Sequence, residues 1–330
     1  MLSDITKRIF NIASEEDFNR SALETFFFQY ENNPIYNNYV RLINCDIKQI
    51  NNFRHIPFLP IEFFKTQKVI CGNDTVKATF ESSGTTGTQK SYHYITDISV
   101  YETSAVKSFE RFYGNIADYT ILALLPSYIE RKNSSLIWMI NHFISKSNYK
   151  TDCGFFGEDS SELIKKLEIL NNDTSRKVIL FGVSFALLDL AEKIKFPLNN
   201  IIIMETGGMK GKRKEIIREE LHDILCKNFG VNIIHSEYGM TEMLSQAYSK
   251  GNGIYNCPPW MKVMTREIND PFSLSKDGRS GGINVIDLAN INSCSFIATR
   301  DVGKCNADGT FEISGRFDHS DTRGCNLMIQ

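Results

Sequence analysis

The chain has 330 residues, 42% hydrophobic, 12% aromatic and 23% charged, a profile of one large or two average globular domains that excludes intrinsic disorder. Its 37 Lys and Arg against 39 Asp and Glu leave a formal charge of −2, so no global field gathers nucleic acid or anionic lipid, and no nucleic-acid partner is expected. The eight cysteines form no C-x-x-C pair and no H-E-x-x-H occurs, which leaves neither zinc spacing nor a disulfide framework. Charges interrupt residues 1–18, and the longest apolar runs fall far short of the roughly 20 residues of a membrane span. A reduced, cytoplasmic protein with no transmembrane segment is expected.

Ser14 followed by Asp17 reads as a capping box, and Phe18, Ala22, Phe26 and Tyr30 recur every four residues, the spacing of one helix face. Pro34, Pro57 and Pro60 then break the chain into short pieces before a strand over 76–80. Further on, strands over 119–125, 177–181, 200–204 and 232–235 alternate with helices near 135–145, 162–170, 185–195 and 213–227. Repeated βα units of this kind predict an α/β fold, a doubly wound and mostly parallel sheet with helices on both faces. After Gly251 the helical period fades, and runs over 262–268, 282–288, 295–299 and 310–313 predict a β-rich subdomain at about 252–314.

The strand over 76–80 opens directly into Ser82, Ser83, Gly84, Thr85, Thr86, Gly87 and Thr88, followed by Gln89, Lys90 and Ser91. Glycines let backbone N–H groups turn toward an anion, hydroxyls donate to phosphate oxygens, and an ammonium offsets charge, so the loop suits a polyphosphate. Gln89 stands where a Walker A loop needs its second glycine, which disfavours an ordinary P-loop. A second group, Tyr238-Gly239-Met240-Thr241-Glu242, follows a predicted strand, and Thr299 to Gly303 and Gly315-Arg316-Phe317-Asp318 lie downstream. Taken singly, the loop also reads as a surface turn, Thr241 as a helix cap, and Asp301 or Arg316 as half of a surface ion pair.

In this order the segments resemble the motifs of the ANL adenylate-forming superfamily, S-S-G-T-T-G-x-x-K, Y-G-x-T-E, [ST]-x-D-x-G and G-R-x-D. The resemblance implies that Tyr238 stacks on adenine, Gly239 lets the base approach, Thr241 contacts the α-phosphate and Glu242 holds Mg2+. It also implies that Asp301 accepts the ribose hydroxyls and that Arg316 faces the ribose. Gly207 and Gly208 fall where relatives have a glycine turn beside the adenine and the acyl pocket.

The stretches 81–87, 235–242 and 315–327 are together similar to the LuxE-type acyl-protein synthetase family, along nearly the whole chain. That likeness implies an adenylate-forming domain over 1–314 and, in place of the usual large C-terminal domain, a hinge and short tail over 315–330. It implies ATP and Mg2+ as cofactors, with Lys90, Thr241, Glu242, Arg316 and Cys325 in the chemistry. A long-chain fatty acid would be activated as acyl-AMP, passed to Cys325 and handed to a fatty-acyl reductase partner. The lysine that assists adenylation in larger relatives is missing, so Arg316 or a partner protein would supply that cation. Alternatives are a shortened aryl or acyl-CoA ligase related to phenylacetate-CoA ligase, a non-catalytic nucleotide-binding subunit and, for Cys325 itself, a buried thiol packed with Leu327 and Met328. Tyr128, Leu136, Trp138, Met139, Phe143, Phe155, Phe156 and Phe185 read as core or as the lining of an acyl channel.

Overall fold

The computed structural model describes residues 4–83, 89–126, 133–207 and 216–317. In chain order the strands are β1 (Leu59–Pro60), β2 (Ala78–Glu81), β3 (Tyr92–Ile95), β4 (Tyr119–Leu124), β5 (Gly154–Phe156), β6 (Lys177–Val183) and β7 (Ile201–Thr206). They continue as β8 (His235–Tyr238), β9 (Ala247–Ser249), β10 (Tyr255–Asn256), β11 (Met261–Arg266), β12 (Ser280–Asp287), β13 (Phe296–Cys305) and β14 (Phe311–Arg316). Twelve form one sheet in the order β11-β12-β13-β14-β10-β9-β8-β7-β6-β4-β5, with β1 beside β13, while β2 and β3 pair as a separate hairpin.

One half of the sheet, β5-β4-β6-β7-β8, is parallel. Every residue of β4 is buried, and so is β6 from Val178 onward. Because successive side chains point to opposite faces, that pattern means both faces are covered, which is what a parallel sheet demands. Helices Ser135–Lys146 and Ser184–Lys193 pack on β4 and on β6 and β7, and helix Arg218–Phe229 packs on the second of them. This is the expected α/β fold class. From β8 the chain reverses direction, and the strands of the β-rich stretch extend the same sheet through antiparallel pairs.

The strand expected over 232–235 forms three residues later, because pairing of Met204 with His235 and Thr206 with Glu237 fixes its register on β7. Gly230, in the left-handed region at φ 65°, ends the preceding helix, and residues 231–234 serve as the connection. Tyr238 is therefore the last residue of β8. The helix Glu15–Asn32, second in the chain after Asp4–Ile9, starts at Ser14, whose hydroxyl accepts the Asp17 N–H at 3.1 Å. It buries Phe18, Ala22 and Phe26, and its Gln29 amide donates to the carbonyls of Asn290 and Ile291. That contact ties the helix to the β12–β13 connection. Met139, Phe143, Phe156 and Phe185 are buried core, Leu136, Trp138 and Phe155 pack half-buried against it, and Tyr128 lies outside the described residues.

Candidate functional site

The β2–β3 hairpin presents the Gly/Ser/Thr loop. Its neck is closed by Ser82, whose hydroxyl accepts the Ser91 N–H at 2.8 Å and whose own N–H donates to the Ser91 carbonyl at 3.1 Å. Lys90 Nζ donates to Glu81 Oε2 at 2.9 Å, and Asn133 Nδ2 donates to Glu81 Oε1 at 2.7 Å. The Asn133 amide and the Lys90 ammonium together hold the Glu81 carboxyl below the usual carboxylate range. Ser83 is half-buried at the loop's start, while Gly84, Thr85, Thr86, Gly87 and Thr88 lie outside the described residues.

After β8, the Met243 N–H bonds back to the Met240 carbonyl at 3.1 Å and closes a turn that carries Thr241 and Glu242. The turn is pinned from below by Asp287 at the end of β12. Its Oδ2 accepts the N–H groups of Leu244 and Ser245 at 2.7 and 2.9 Å, and its Oδ1 accepts the Ser245 hydroxyl. A Cβ at Gly239 would overlap Glu237 Oε1, so a larger residue there must displace the buried Glu237 carboxyl. Glu242 is buried, and burial pushes its carboxyl upward, opposed by a hydrogen bond from Ser91 and by the Arg316 charge.

On the antiparallel half, Asp301 of β13 stands opposite Arg316 of β14. Asp301 is only 6% exposed, and both of its oxygens are engaged. Arg316 Nε donates to Oδ1 and the Tyr238 hydroxyl donates to Oδ2, each at 2.8 Å. The Arg316 side chain itself is 70% exposed, so its guanidinium reaches from solvent onto a buried carboxylate. The Tyr238 ring lies among Phe311 and Tyr255, at 5.3 and 5.8 Å between centroids, with 8% of the residue exposed. Ser91, Glu242, Asp301, Arg316 and Tyr238, from distant parts of the sequence, thus form one electrostatic neighbourhood, with Lys90 adjoining Ser91.

A second layer lies beneath the β7 end. The Thr206 hydroxyl donates to Glu237 Oε2 across the β7–β8 pair, and burial pushes Glu237 up to about 7. Glu205 is held below its ordinary value although burial opposes this, through His222 and the Arg218 charge, and its Oε1 accepts the Ser184 hydroxyl at 2.6 Å. Gly207 sits at φ 72°, where glycine is the natural residue, and Gly208 lies outside the described residues. Sequence reading missed His93, Asn290, Glu237 and Asp287. Only His93 carries a local signal, since Ser91, His93 and Ile95 alternate along the buried face of β3.

All seven described cysteines are free thiols, and burial pushes Cys71 and Cys305 up to about 12. Cys325 lies outside the described residues. Among the described residues no helix is long and apolar enough to cross a membrane, and no group of three or more His, Cys, Asp or Glu is arranged to hold a metal.

The architecture is that of the adenylate-forming ligases. The chain superposes on 2-hydroxyisobutyryl-CoA ligase in its postadenylation state, in complex with 2-HIB-AMP, with TM-score 0.69 and 12% identity, over 96% of this chain and 72% of that one. It also superposes on the ATP-bound MatB from Rhodopseudomonas palustris, with TM-score 0.55 and 14% identity, over 74% of this chain and 49% of that one. The chain spans about half the length of the MatB structures it matches. At these identities the likeness establishes the fold. No curated protein matches the sequence. Residues 8–330 match the family described as acyl-protein synthetase, LuxE, and the chain belongs to that family.

Proposed function

We propose that this protein uses ATP to activate a long-chain fatty acid as acyl-AMP and transfers the acyl group to Cys325, from which a fatty-acyl reductase takes it. The observation that carries this reading is the meeting of the hairpin's Ser91 with Glu242, and of Tyr238 and Arg316 with Asp301, in one neighbourhood. Family membership and the adenylate-forming fold support it independently.

A carboxylate resists attack because its leaving group would be oxide. In the proposed first step its oxygen attacks the α-phosphorus of ATP, a new P–O bond forms, and the bond to pyrophosphate breaks. Lys90 leaves Glu81 to offset charge on the phosphates, Asp301 receives the ribose hydroxyls on lone pairs that Tyr238 and Arg316 leave free, and Thr241 meets the α-phosphate. Tyr238 orients Asp301 through its hydroxyl and offers adenine what remains open of its ring. The Ser82–Thr88 loop, Gly207, Gly208 and Gly239 line the nucleotide with backbone. In the second step the Cys325 thiolate attacks the acyl carbonyl, a C–S bond forms, the C–O bond to AMP breaks, and AMP departs. The described cysteines whose thiols burial raises are poor nucleophiles, so a thiol outside them suits that role.

Mg2+ fits the same residues. Glu242 offers one buried carboxylate, and a magnesium ion is commonly held by one or two carboxylates with substrate phosphates supplying further oxygens. When bound, it neutralises charge on the phosphates.

Intact-mass spectrometry after incubation with ATP, Mg2+ and a panel of carboxylic acids tests the whole reading. A long-chain acyl adduct is expected on the wild-type protein and absent from Cys325→Ser, with ATP–pyrophosphate exchange retained in both. Coenzyme A consumption with a harmless Cys325→Ser would replace the thiol acceptor by a CoA ligase. Nucleotide binding without exchange for any acid, with a reductase present, would leave only a nucleotide-binding subunit.

A further inference from the structure

His93 is fully buried on the inner face of β3, two residues beyond Ser91, with the Phe64 ring edge-on at 5.7 Å. Its ring bridges two parts of the site. Nδ1 lies 2.8 Å from the Thr241 carbonyl and Nε2 lies 2.9 Å from Asn290 Oδ1. Asn290 is not free to turn, because its Nδ2 donates to the carbonyls of Glu242 and Cys294, both at 2.8 Å. Reversing the amide would set its oxygen against two carbonyl oxygens. Both neighbours of the imidazole are therefore acceptors, and a neutral ring has only one N–H to give. The Thr241 contact is the shorter, and it is the one that joins the phosphate hairpin to the turn after β8.

We propose that His93 is a positioning residue for adenylation, which through a hydrogen on Nδ1 holds the Thr241 carbonyl, and with it Thr241 and Glu242, at a fixed distance from the phosphate hairpin. The inference rests on the reading that this site forms an acyl-adenylate. His93 touches no substrate group itself. It acts by keeping the hairpin, which carries Lys90 and Ser91, in register with the turn that carries Thr241 and Glu242. Burial also pushes the ring down to about 4, so in the neutral range it is uncharged and the hydrogen must be on one nitrogen or the other.

The test uses the full chain in fatty-acid-dependent ATP–pyrophosphate exchange. His93→Phe keeps a flat aromatic ring against Phe64, slightly larger than imidazole, but offers no donor, whereas His93→Asn sets an amide N–H where Nδ1 sits. Misplacing reacting groups by about 1 Å costs on the order of 100-fold, so His93→Phe is expected to lose about 10- to 100-fold in kcat while the KM for the fatty acid moves less than about threefold. His93→Asn is expected to recover at least about a third of the wild-type kcat. Equal loss in both variants, an unchanged kcat in His93→Phe, or a loss that falls on KM overturns the positioning role. Nitrogen NMR of histidine-labelled wild-type protein decides the point even where His93→Phe does not fold. A protonated Nδ1 supports the assignment, and a bare Nδ1 overturns it. Exchange that is absent from the wild type removes the functional reading and the positioning role together, whereas an active wild type beside a fully active His93→Phe removes the positioning role alone.

Discussion

Lys90 is the residue whose resting partner is most informative. Its ammonium, half-exposed, is held by Glu81, and Glu81 is in turn oriented by Asn133, so a triphosphate must compete with a carboxylate for the same cation. An ion pair between such groups is worth at most about 1 kcal/mol, so freeing Lys90 by Glu81→Gln is expected to lower the KM for ATP by up to about fivefold. Steady-state exchange at varied ATP measures this, and a raised KM would show that Glu81 aims Lys90 rather than competing for it. At this scale the sequence is legible where chemistry-bearing residue types recur at fixed local spacing, as in Tyr238 to Glu242. Alternation over 91–95 marks the face that His93 occupies but not its role, because its partners lie 148 and 197 residues away and no local pattern encodes a contact made only by folding.

Among the elements, the turn after β8 depends on a residue that belongs to another strand. Asp287 ends β12 fully buried, and burial pushes its carboxyl up, opposed by the Ser245 hydroxyl and the N–H groups it accepts. Asp287→Ala strands the buried Leu244 and Ser245 donors, at about 1–3 kcal/mol for each unsatisfied group, and lets Thr241 and Glu242 drift. Asp287→Asn retains one acceptor oxygen for both N–H groups and turns its amide toward a hydroxyl that can accept. A loss below about 1.5 kcal/mol is therefore expected for Asn and roughly 2–5 kcal/mol for Ala by denaturant unfolding. Equal losses in the two variants would mean that packing, and not hydrogen bonding, anchors the turn. Element type was readable from period, as in the helix Glu15–Asn32 with its buried Phe18, Ala22 and Phe26. Element limits were not, because β8 takes its register from β7 and overrides the β-branched run just before it.

For the whole molecule, periodicity identifies β11 to β14 but not the two-residue β10, and it says nothing about partners; their joining to the parallel half through β9, β10 and β14 arises from long-range pairing. The fold also buries titratable groups whose protonation contributes to global stability. Glu237 is raised from 4.5 to about 7, chiefly by burial, with the Thr206 hydrogen bond opposing and neighbouring Glu205 adding to the rise. His93 and His235 are lowered from 6.5 to about 4 by burial. The signs are opposite. Glu237 contributes stability that is complete below its unfolded value of 4.5 and is lost as pH rises through about 7, because the unfolded chain releases the proton first. The histidines contribute stability present above their unfolded value of 6.5 and lost as pH falls through about 4. Glu237→Gln keeps an acceptor for Thr206 and removes the titration. Thermal melts of the two proteins should accordingly nearly coincide below pH 4.5 and separate progressively toward pH 7, with the variant gaining relative to the wild type and the gap constant at higher pH. A gap that does not vary with pH would mean that Glu237 is already ionised in the folded protein and that Glu205 and Glu237 bear two charges side by side.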